Sequence, residues 1–199
     1  MDSLKYYIIY KPFGILSQFS DEGKRQGLGA IFNLPKDVYP VGRLDAESEG
    51  LLILTNDKSL NNRLLNPNNR HNRTYWIQVE GVPTPADLRA FETPMKLNYK
   101  GKIHTTLPAK ASFLEWTPTL PERDPPVRFR ANIPTTWISL TLHEGKNRQV
   151  RKMTAQVGFP TLRLVRWAIE GLTIEGFSSG EMRSMDKETL ENLLFGHRI

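Results

Sequence analysis

The chain has 199 residues, a net charge of +6 and 39% apolar residues, enough apolar side chains for a packed core. The absence of cysteine excludes disulfides, thiolate catalysis and cysteine-ligated zinc. No apolar run approaches the roughly 20 residues needed to cross a bilayer, and the N-terminus lacks a signal-peptide pattern. We therefore expect a soluble, cytoplasmic protein that does not bind membranes.

Hydrophobic periodicity and breaker residues predict a succession of short elements along the chain. The predicted strands cover residues 6–10, 39–41, 51–54, 74–79, 137–142 and 162–167, the last with its arginines on one face. The predicted helices cover residues 28–34, 57–65 with Leu60, Leu64 and Leu65 on one face, 84–91, 147–157 and 186–195. Residues 99–135 are predicted to be irregular, because five prolines between 118 and 134 exclude a long helix. We interpret them as an insertion or a substrate lid.

The predicted strands outnumber the helices and do not alternate regularly with them, which argues against a doubly wound parallel sheet. We expect an α+β fold with a mixed, mainly antiparallel central sheet flanked by helices. Residues 1–199 are expected to form a single domain.

Basic residues concentrate between Gly145 and Ile169, where there are six of them and no acidic residue. Such concentrated charge indicates a phosphate backbone as partner, although a solvated basic face without a ligand fits it too. At helical spacing, Arg148, Arg151 and Lys152 are predicted to share one helix face. Arginines at a helix start oppose the macrodipole, so a phosphate or a buried carboxylate should compensate them.

The turn from Gly42 to Gly50 lies between two predicted strands and carries an arginine, three carboxylates and a hydroxyl. Loops held by a rigid sheet commonly carry functional groups, but a solvated hairpin end has the same composition. The four histidines have no metal-like spacing, and no glycine-rich phosphate loop is present. We therefore expect chemistry based on carboxylate, tyrosine and arginine, with no cofactor and no metal.

Three segments resemble, in their order along the chain, the RsuA-type pseudouridine synthases. Residues 42–56 are similar to the catalytic motif of that family, residues 73–81 to its tyrosine strand and residues 144–153 to its arginine helix. Lys11-Pro12-Phe13-Gly14 also fits. The stretches 123–137 and 157–166 resemble the RluE branch, which modifies large-subunit ribosomal RNA. The chain starts at the first catalytic-domain strand, so we expect no S4-type domain in front of it.

The resemblance implies a pseudouridine synthase fold with a catalytic cleft between two subdomains. It also implies site-specific isomerisation of uridine in ribosomal RNA, in 23S rRNA for this branch, by a monomeric enzyme that needs no cofactor. The implied catalytic residues are Asp45 as the essential carboxylate, Tyr75 packing on the flipped base and Arg151 pairing with Asp45. The implied RNA-binding residues are Arg43, which fills the vacated stack, Lys146, Arg148, Lys152, and the pocket-lining Leu164 and Arg166.

The reaction breaks the bond between uracil and ribose and rejoins the base through carbon. Asp45 can serve as nucleophile or as proton acceptor only when ionised. An adjacent arginine such as Arg151 favours the charged form in a dry pocket. The sequence leaves both roles of the carboxylate open.

Three alternatives remain at this stage. A sister enzyme of the same family could act on another ribosomal RNA position. A non-catalytic RNA-binding assembly factor would share the basic surface without needing Asp45. A metal-dependent nuclease could use Asp45, Glu47 and Glu49, and it would require magnesium.

Overall fold

The structure is a computed structural model that describes residues 3–128, 130 and 132–196. The strands of this part are β1 Tyr6–Lys11, β2 Tyr39–Pro40, β3 Glu49–Thr55, β4 Arg73–Glu80, β5 Lys96–Tyr99, β6 Lys102–Thr105, β7 Lys110–Phe113, β8 Thr135–Leu142, β9 Thr161–Ile169, β10 Leu172–Thr173 and β11 Met182–Ser184. Its α-helices are α1 Lys58–Leu65, α2 Pro85–Arg89, α3 Gln149–Val157 and α4 Lys187–Phe195. Three 3-10 helices cover Leu28–Ala30, Pro67–Asn69 and Ala90–Glu92. None of the described helices is long and apolar enough to span a membrane.

Nine of the described strands form one sheet, in the order β11-β1-β3-β9-β4-β8-β7, with β2 added to β3 and β10 to β9. β3 and β9 are parallel. All other pairings between these strands are antiparallel. The predicted α+β fold with a mixed, mainly antiparallel sheet is therefore confirmed, and β5 and β6 form a separate two-stranded hairpin.

The core is divided between the two halves of the sheet. One cluster joins β1 and β3 to α1 and α4 and contains Ile8, Leu60 and Leu190. A second cluster joins β4 and β8 to α2 and α3 and contains Ile77 and Met153. Residues of both clusters line a cleft, which therefore lies between the two halves of the sheet. This agrees with the cleft that the family resemblance implies.

The helix that follows β3 begins as the sequence predicts. The Asp57 carboxylate accepts hydrogen bonds from the backbone N–H groups of Ser59 and Leu60, and it also accepts one from the Tyr6 hydroxyl at 2.7 Å. Leu60 and Leu64 are buried, whereas Leu65 is 44% exposed. Leu65 ends the helix and faces the cleft rather than the core.

The two arginines of β9 lie on opposite faces of the sheet, contrary to the prediction that they share one face. Arg166 lines the cleft, whereas Arg163 binds the buried carboxylate of Glu49 and the carbonyl of Pro121. The physical reason is the period of two along a strand, which separates side chains three residues apart.

Residues 99–135 are only partly irregular. Lys100 and Gly101 both have positive φ, +53° and +87°, and form the two-residue turn that joins β5 to β6. β7 follows on the edge of the main sheet. The described residues of the proline-rich stretch 114–134 do not line the cleft, and Arg123 stacks on the Phe13 ring. These residues therefore lie outside the cleft lining, whereas His104, Thr105 and Leu107, earlier in the predicted segment, belong to it.

Candidate active site

The turn that carries Asp45 is fixed through its backbone. The Ser17 hydroxyl donates to the carbonyl of Leu44 at 2.8 Å and accepts from the Leu44 N–H at 2.9 Å. On the other side of Asp45, the carbonyl of Ala46 accepts from the N–H of Gly14 at 2.7 Å. The half-buried Asp45 carboxylate accepts no hydrogen bond from the described residues, so its oxygens are available to a substrate.

A cleft of about 1010 Å³ opens in front of Asp45. Its lining brings together predicted residues from distant parts of the sequence, namely Arg43, Tyr75, Lys146, Arg148, Leu164 and Arg166. Arg43, Lys146 and Arg148 are exposed at the rim, whereas Tyr75, Leu164 and Arg166 are buried in the floor. The cleft therefore has a cationic entrance and an aromatic, apolar floor that also holds a cation.

Tyr75 and Arg166 are neighbours on β4 and β9, where their Cα atoms are paired across the two strands. Arg166 is 4% exposed, and its Nε donates to the carbonyl of Leu51 at 2.7 Å. Its Nη2 is buried without a hydrogen-bond partner among the described residues. Burial lowers the pKa of Arg166, but a guanidinium remains protonated at neutral pH. The neighbouring Tyr75 hydroxyl acts against this lowering of the Arg166 pKa but does not meet the geometry of a hydrogen bond to Nη2, which leaves this donor available to an acceptor atom on a ligand.

Arg148 and Glu47 form an ion pair of 2.8 Å at the cleft entrance, with both side chains 42% exposed. The hydrogen bond from Arg148 lowers the pKa of the Glu47 carboxyl. Arg148 precedes α3 with φ of +52°, in the left-handed region. The compensation of an arginine at this helix start is therefore supplied by the Glu47 carboxylate of the Asp45 turn, which is half exposed and not buried as predicted.

Arg151 does not form the predicted ion pair with Asp45. Its Nη2 donates to the carbonyl of Glu47 at 2.7 Å and its Nη1 to the carbonyl of Thr161 at 3.4 Å. Burial lowers the pKa of Arg151, and Glu47 and Asp45 act in the opposite direction. The bend of the turn presents a backbone carbonyl to the guanidinium, so Arg151 holds the turn and influences Asp45 only through space.

Lys152 lies away from the cleft, and its predicted common face with Arg148 and Arg151 is wrong. Its ammonium donates to the carbonyl of Asn98 at 2.8 Å and lies 4.8 Å from the centre of the Tyr99 ring. The three cations diverge because Arg148 lies outside the helix, where helical spacing does not apply. Neighbouring helical residues such as 151 and 152 are in any case about 100° apart around the axis.

The structure also contains two buried charged groups near the turn, Lys11, to which the sequence analysis gave no role, and Glu49, which it considered only for the nuclease alternative. The Lys11 ammonium donates to the carbonyls of Pro12, Ile15 and Ala46, and burial lowers its pKa to about 7. Glu49 accepts two hydrogen bonds from Arg163, at 2.9 and 2.7 Å. A lysine ending an apolar strand before Pro-Phe-Gly was the one available signal for the first group.

The three carboxylates of the turn point to different environments. Asp45 faces the cleft, Glu47 pairs with Arg148 at its entrance, and Glu49 is buried against Arg163. Within the described residues, no group of three or more acidic or histidine side chains is arranged to hold a metal ion. The nuclease alternative needs the three carboxylates together, and this arrangement separates them.

Comparison with known proteins agrees with this geometry. The family described as RNA pseudouridylate synthase matches residues 5–156. Ribosomal large subunit pseudouridine synthase E of Vibrio vulnificus (strain CMCP6) is 49% identical over 91% of this chain and 75% of its own length. The protein of the same name from Xanthomonas axonopodis pv. citri (strain 306) is 50% identical over 81% of this chain and 84% of its own length.

A solved structure described as a pseudouridylate synthase has a TM-score of 0.79, with 24% identity over 97% of this chain and 75% of that one. At that identity the likeness concerns the fold, while the family match and the closer relatives carry the activity. The chain therefore belongs to the RNA pseudouridylate synthase family, and it is an enzyme that isomerises uridine to pseudouridine in RNA.

Proposed function

We propose that the enzyme isomerises one uridine of large-subunit ribosomal RNA, 23S rRNA, with Asp45 as the catalytic carboxylate. The observation that carries the residue assignment is the Asp45 side chain, which faces the cleft without a hydrogen-bond partner among the described residues. The substrate assignment is supported by relatives at 49% and 50% identity that are named for the large ribosomal subunit.

The reaction is redox-neutral and can be balanced with groups of the chain alone. The bond between N1 of uracil and C1′ of ribose breaks, the base turns, and C5 bonds to C1′. The proton of C5 then leaves and N1 gains one, so the atoms of substrate and product are the same. Asp45 acts on the ribose, either as a nucleophile at C1′ or as a proton acceptor. Both routes require the ionised carboxylate.

Access to the reacting atoms requires the target nucleotide to leave its stack, at a cost of a few kcal/mol. We assign Arg43, exposed at the rim, to the vacated position in the RNA. Tyr75 and Leu164 in the floor pack on the flipped base, and stacking contributes about 1–3 kcal/mol. The free Nη2 of Arg166 would donate to an oxygen of the base or of the ribose phosphate.

We assign Arg151 a positioning role rather than a direct ion pair. Its hydrogen bond to the Glu47 carbonyl fixes the turn two residues after Asp45, and its buried charge favours an anion in the cleft. Lys146 and Arg148, exposed at the entrance, would bind phosphates of the RNA. In the absence of RNA, Arg148 pairs with the Glu47 carboxylate, and a phosphate of the RNA would compete with that carboxylate for the guanidinium.

The proposal is tested by mapping pseudouridines in ribosomal RNA from cells with and without this protein. One position should lose its modification, and wild-type enzyme should restore it while Asp45→Asn does not. The position that is lost also decides between the proposed branch and a sister enzyme. Restoration by Asp45→Asn, with RNA binding equal to that of the wild type, would instead show that Asp45 is not the catalytic carboxylate.

We further propose that residues 1–199 act as one catalytic domain, as a cytoplasmic monomer, without metal or organic cofactor. The redox-neutral balance and the separated carboxylates of the turn support a metal-free site. Full activity after dialysis against a chelator, together with a monomeric mass by light scattering, is the expected result. Loss of activity that magnesium restores would contradict the metal-free mechanism.

A further inference from the structure

The β5–β6 hairpin, residues 96–105, projects from the cleft wall and is strongly basic. It carries Lys96, Lys100 and Lys102, and residues 93–114 include no acidic residue. All three lysines are exposed, and none forms an ion pair within the described part of the chain. The positive charge of this hairpin is therefore not used inside the protein.

The hairpin has one buried and one open face. Leu97 and His104 are paired across the strands on the inner side, where Leu97 packs in the core around β4 and β8. Lys96, Asn98, Ile103 and Thr105 lie on the outer side and are all exposed, Ile103 by 61%. Lys100 lies in the turn, and Lys102 lies next to it on the side of Leu97, so both are exposed at the tip of the hairpin. No described element covers this outer face, and it is continuous with the cleft, which His104 and Thr105 line.

The base of the hairpin is held rigidly against the cleft wall. The Glu144 carboxylate binds the His104 ring at 2.9 Å and the N–H of Leu107 at 2.8 Å. Lys152 donates to the Asn98 carbonyl from the adjacent helix. Because these contacts anchor the inner side, ordering the hairpin requires no further free energy when a ligand binds the outer side.

We propose that the exposed lysines of the β5–β6 hairpin, Lys96 on its outer face and Lys100 and Lys102 at its tip, bind the phosphate backbone of the RNA strand that flanks the target uridine, outside the catalytic cleft. This inference rests on the proposed function, since it takes RNA as the partner. Charge complementarity and continuity with the cleft favour it: a strand that leaves the entrance past Thr105 meets the exposed lysines next. Contacts of this kind add affinity without information about sequence.

The test compares two variants with the same change in net charge. One replaces the hairpin lysines, Lys96→Gln, Lys100→Gln and Lys102→Gln together. The control replaces three exposed lysines outside the cleft lining, Lys36→Gln, Lys110→Gln and Lys187→Gln. The affinity for a 23S rRNA fragment that contains the mapped uridine is measured by filter binding between about 50 and 300 mM KCl, a range in which phosphate contacts make affinity depend on salt. Pseudouridine formation is measured on the same fragment and on a shorter RNA that keeps only the target loop.

The hairpin variant should lower the slope of log affinity against log salt by about 2 units, since each phosphate contact contributes roughly 0.7–0.9. Its KM on the long fragment should rise about tenfold or more, while kcat at saturating RNA and KM on the short RNA stay as in the wild type. A slope equal to that of the control variant would overturn the proposal. An equal rise in KM on the long fragment and on the short RNA would also overturn it. If the wild-type protein forms no pseudouridine, the proposed function fails. The slopes of log affinity against log salt, measured on bulk 23S rRNA for the two variants, still show whether the hairpin binds phosphates.

Discussion

The buried ion pair between Glu49 and Arg163 adjoins the Asp45 turn, and its contribution to the stability of the fold can be measured. Glu49 begins β3, four residues after Asp45, and is 1% exposed. Its carboxylate accepts two hydrogen bonds from Arg163 and one from the Tyr10 hydroxyl at 3.2 Å. Arg163 also donates to the carbonyl of Pro121, which connects the proline-rich stretch to this strand.

Removing one partner leaves an uncompensated charge in the core, whereas removing both leaves none. Arg163→Met should therefore lower the free energy of unfolding by about 3–5 kcal/mol, with Glu49→Leu in a similar range. The double variant should lose much less than the sum of the two, a coupling of about 2 kcal/mol or more.

Urea unfolding of the wild type, both single variants and the double variant measures this coupling. At a slope of roughly 2–3 kcal/mol/M, Arg163→Met should shift the midpoint by about 1–2 M. The Arg130–Glu80 pair, whose arginine is half exposed, provides the control, and Arg130→Met should change stability by about 1 kcal/mol or less. Additive losses in the double variant, or an unchanged midpoint in Arg163→Met, would refute the reasoning.

Three further changes have defined outcomes. Arg151→Ala should reduce kcat/KM by about 100-fold or more, because the Glu47 carbonyl loses its donor and the turn moves, and steady-state kinetics checks this. Gly50→Ala should lower the free energy of unfolding, measured in urea, by more than about 3 kcal/mol, since Gly50 has φ of +100° and an added Cβ would lie 2.5 Å from the Arg166 carbonyl. Equal stability of Gly50→Ala and a Gly145→Ala control would contradict this. Lys11 has a folded pKa of about 7, below its unfolded value, so the folded state binds fewer protons than the unfolded state between those two pKa values. The free energy of unfolding should therefore rise from pH 7.5 to 9, by up to about 1.4 kcal/mol per pH unit. Lys11→Met should abolish this rise, and a rise that persists in the variant would show that Lys11 is not its source.

Most of the elements could be predicted because their signals are local. The apolar run of residues 51–54 became the fully buried β3, and Asp57 caps α1 as its side chain and position indicate. The β5–β6 hairpin was missed, since its strands are four residues long and its turn is Lys-Gly rather than the Asn-Gly that marks such turns most strongly.

The candidate site was predicted residue by residue but not contact by contact. Asp45, Tyr75 and Arg166 were all expected at the pocket, and the cleft lining contains all three. The partner of Arg151 could not be predicted, because a carbonyl of the turn and the carboxylate of Asp45 lie within two residues of each other in the sequence. The direction of Lys152 depended on the hairpin beneath it, which the sequence analysis had not identified.

The sequence by itself determined the family, the order of the strands along the chain and the residue types available for chemistry, because these are written in motifs and short-range periodicity. The tertiary structure alone decided which cations face the substrate. Arg163 and Arg166 lie three residues apart, yet one supports the core and the other reaches the cleft floor. The period of two along β9 sends the two side chains to opposite faces, and packing across β3 and β9 then brings Glu49 to Arg163 as its partner, whereas Arg166 keeps an open Nη2.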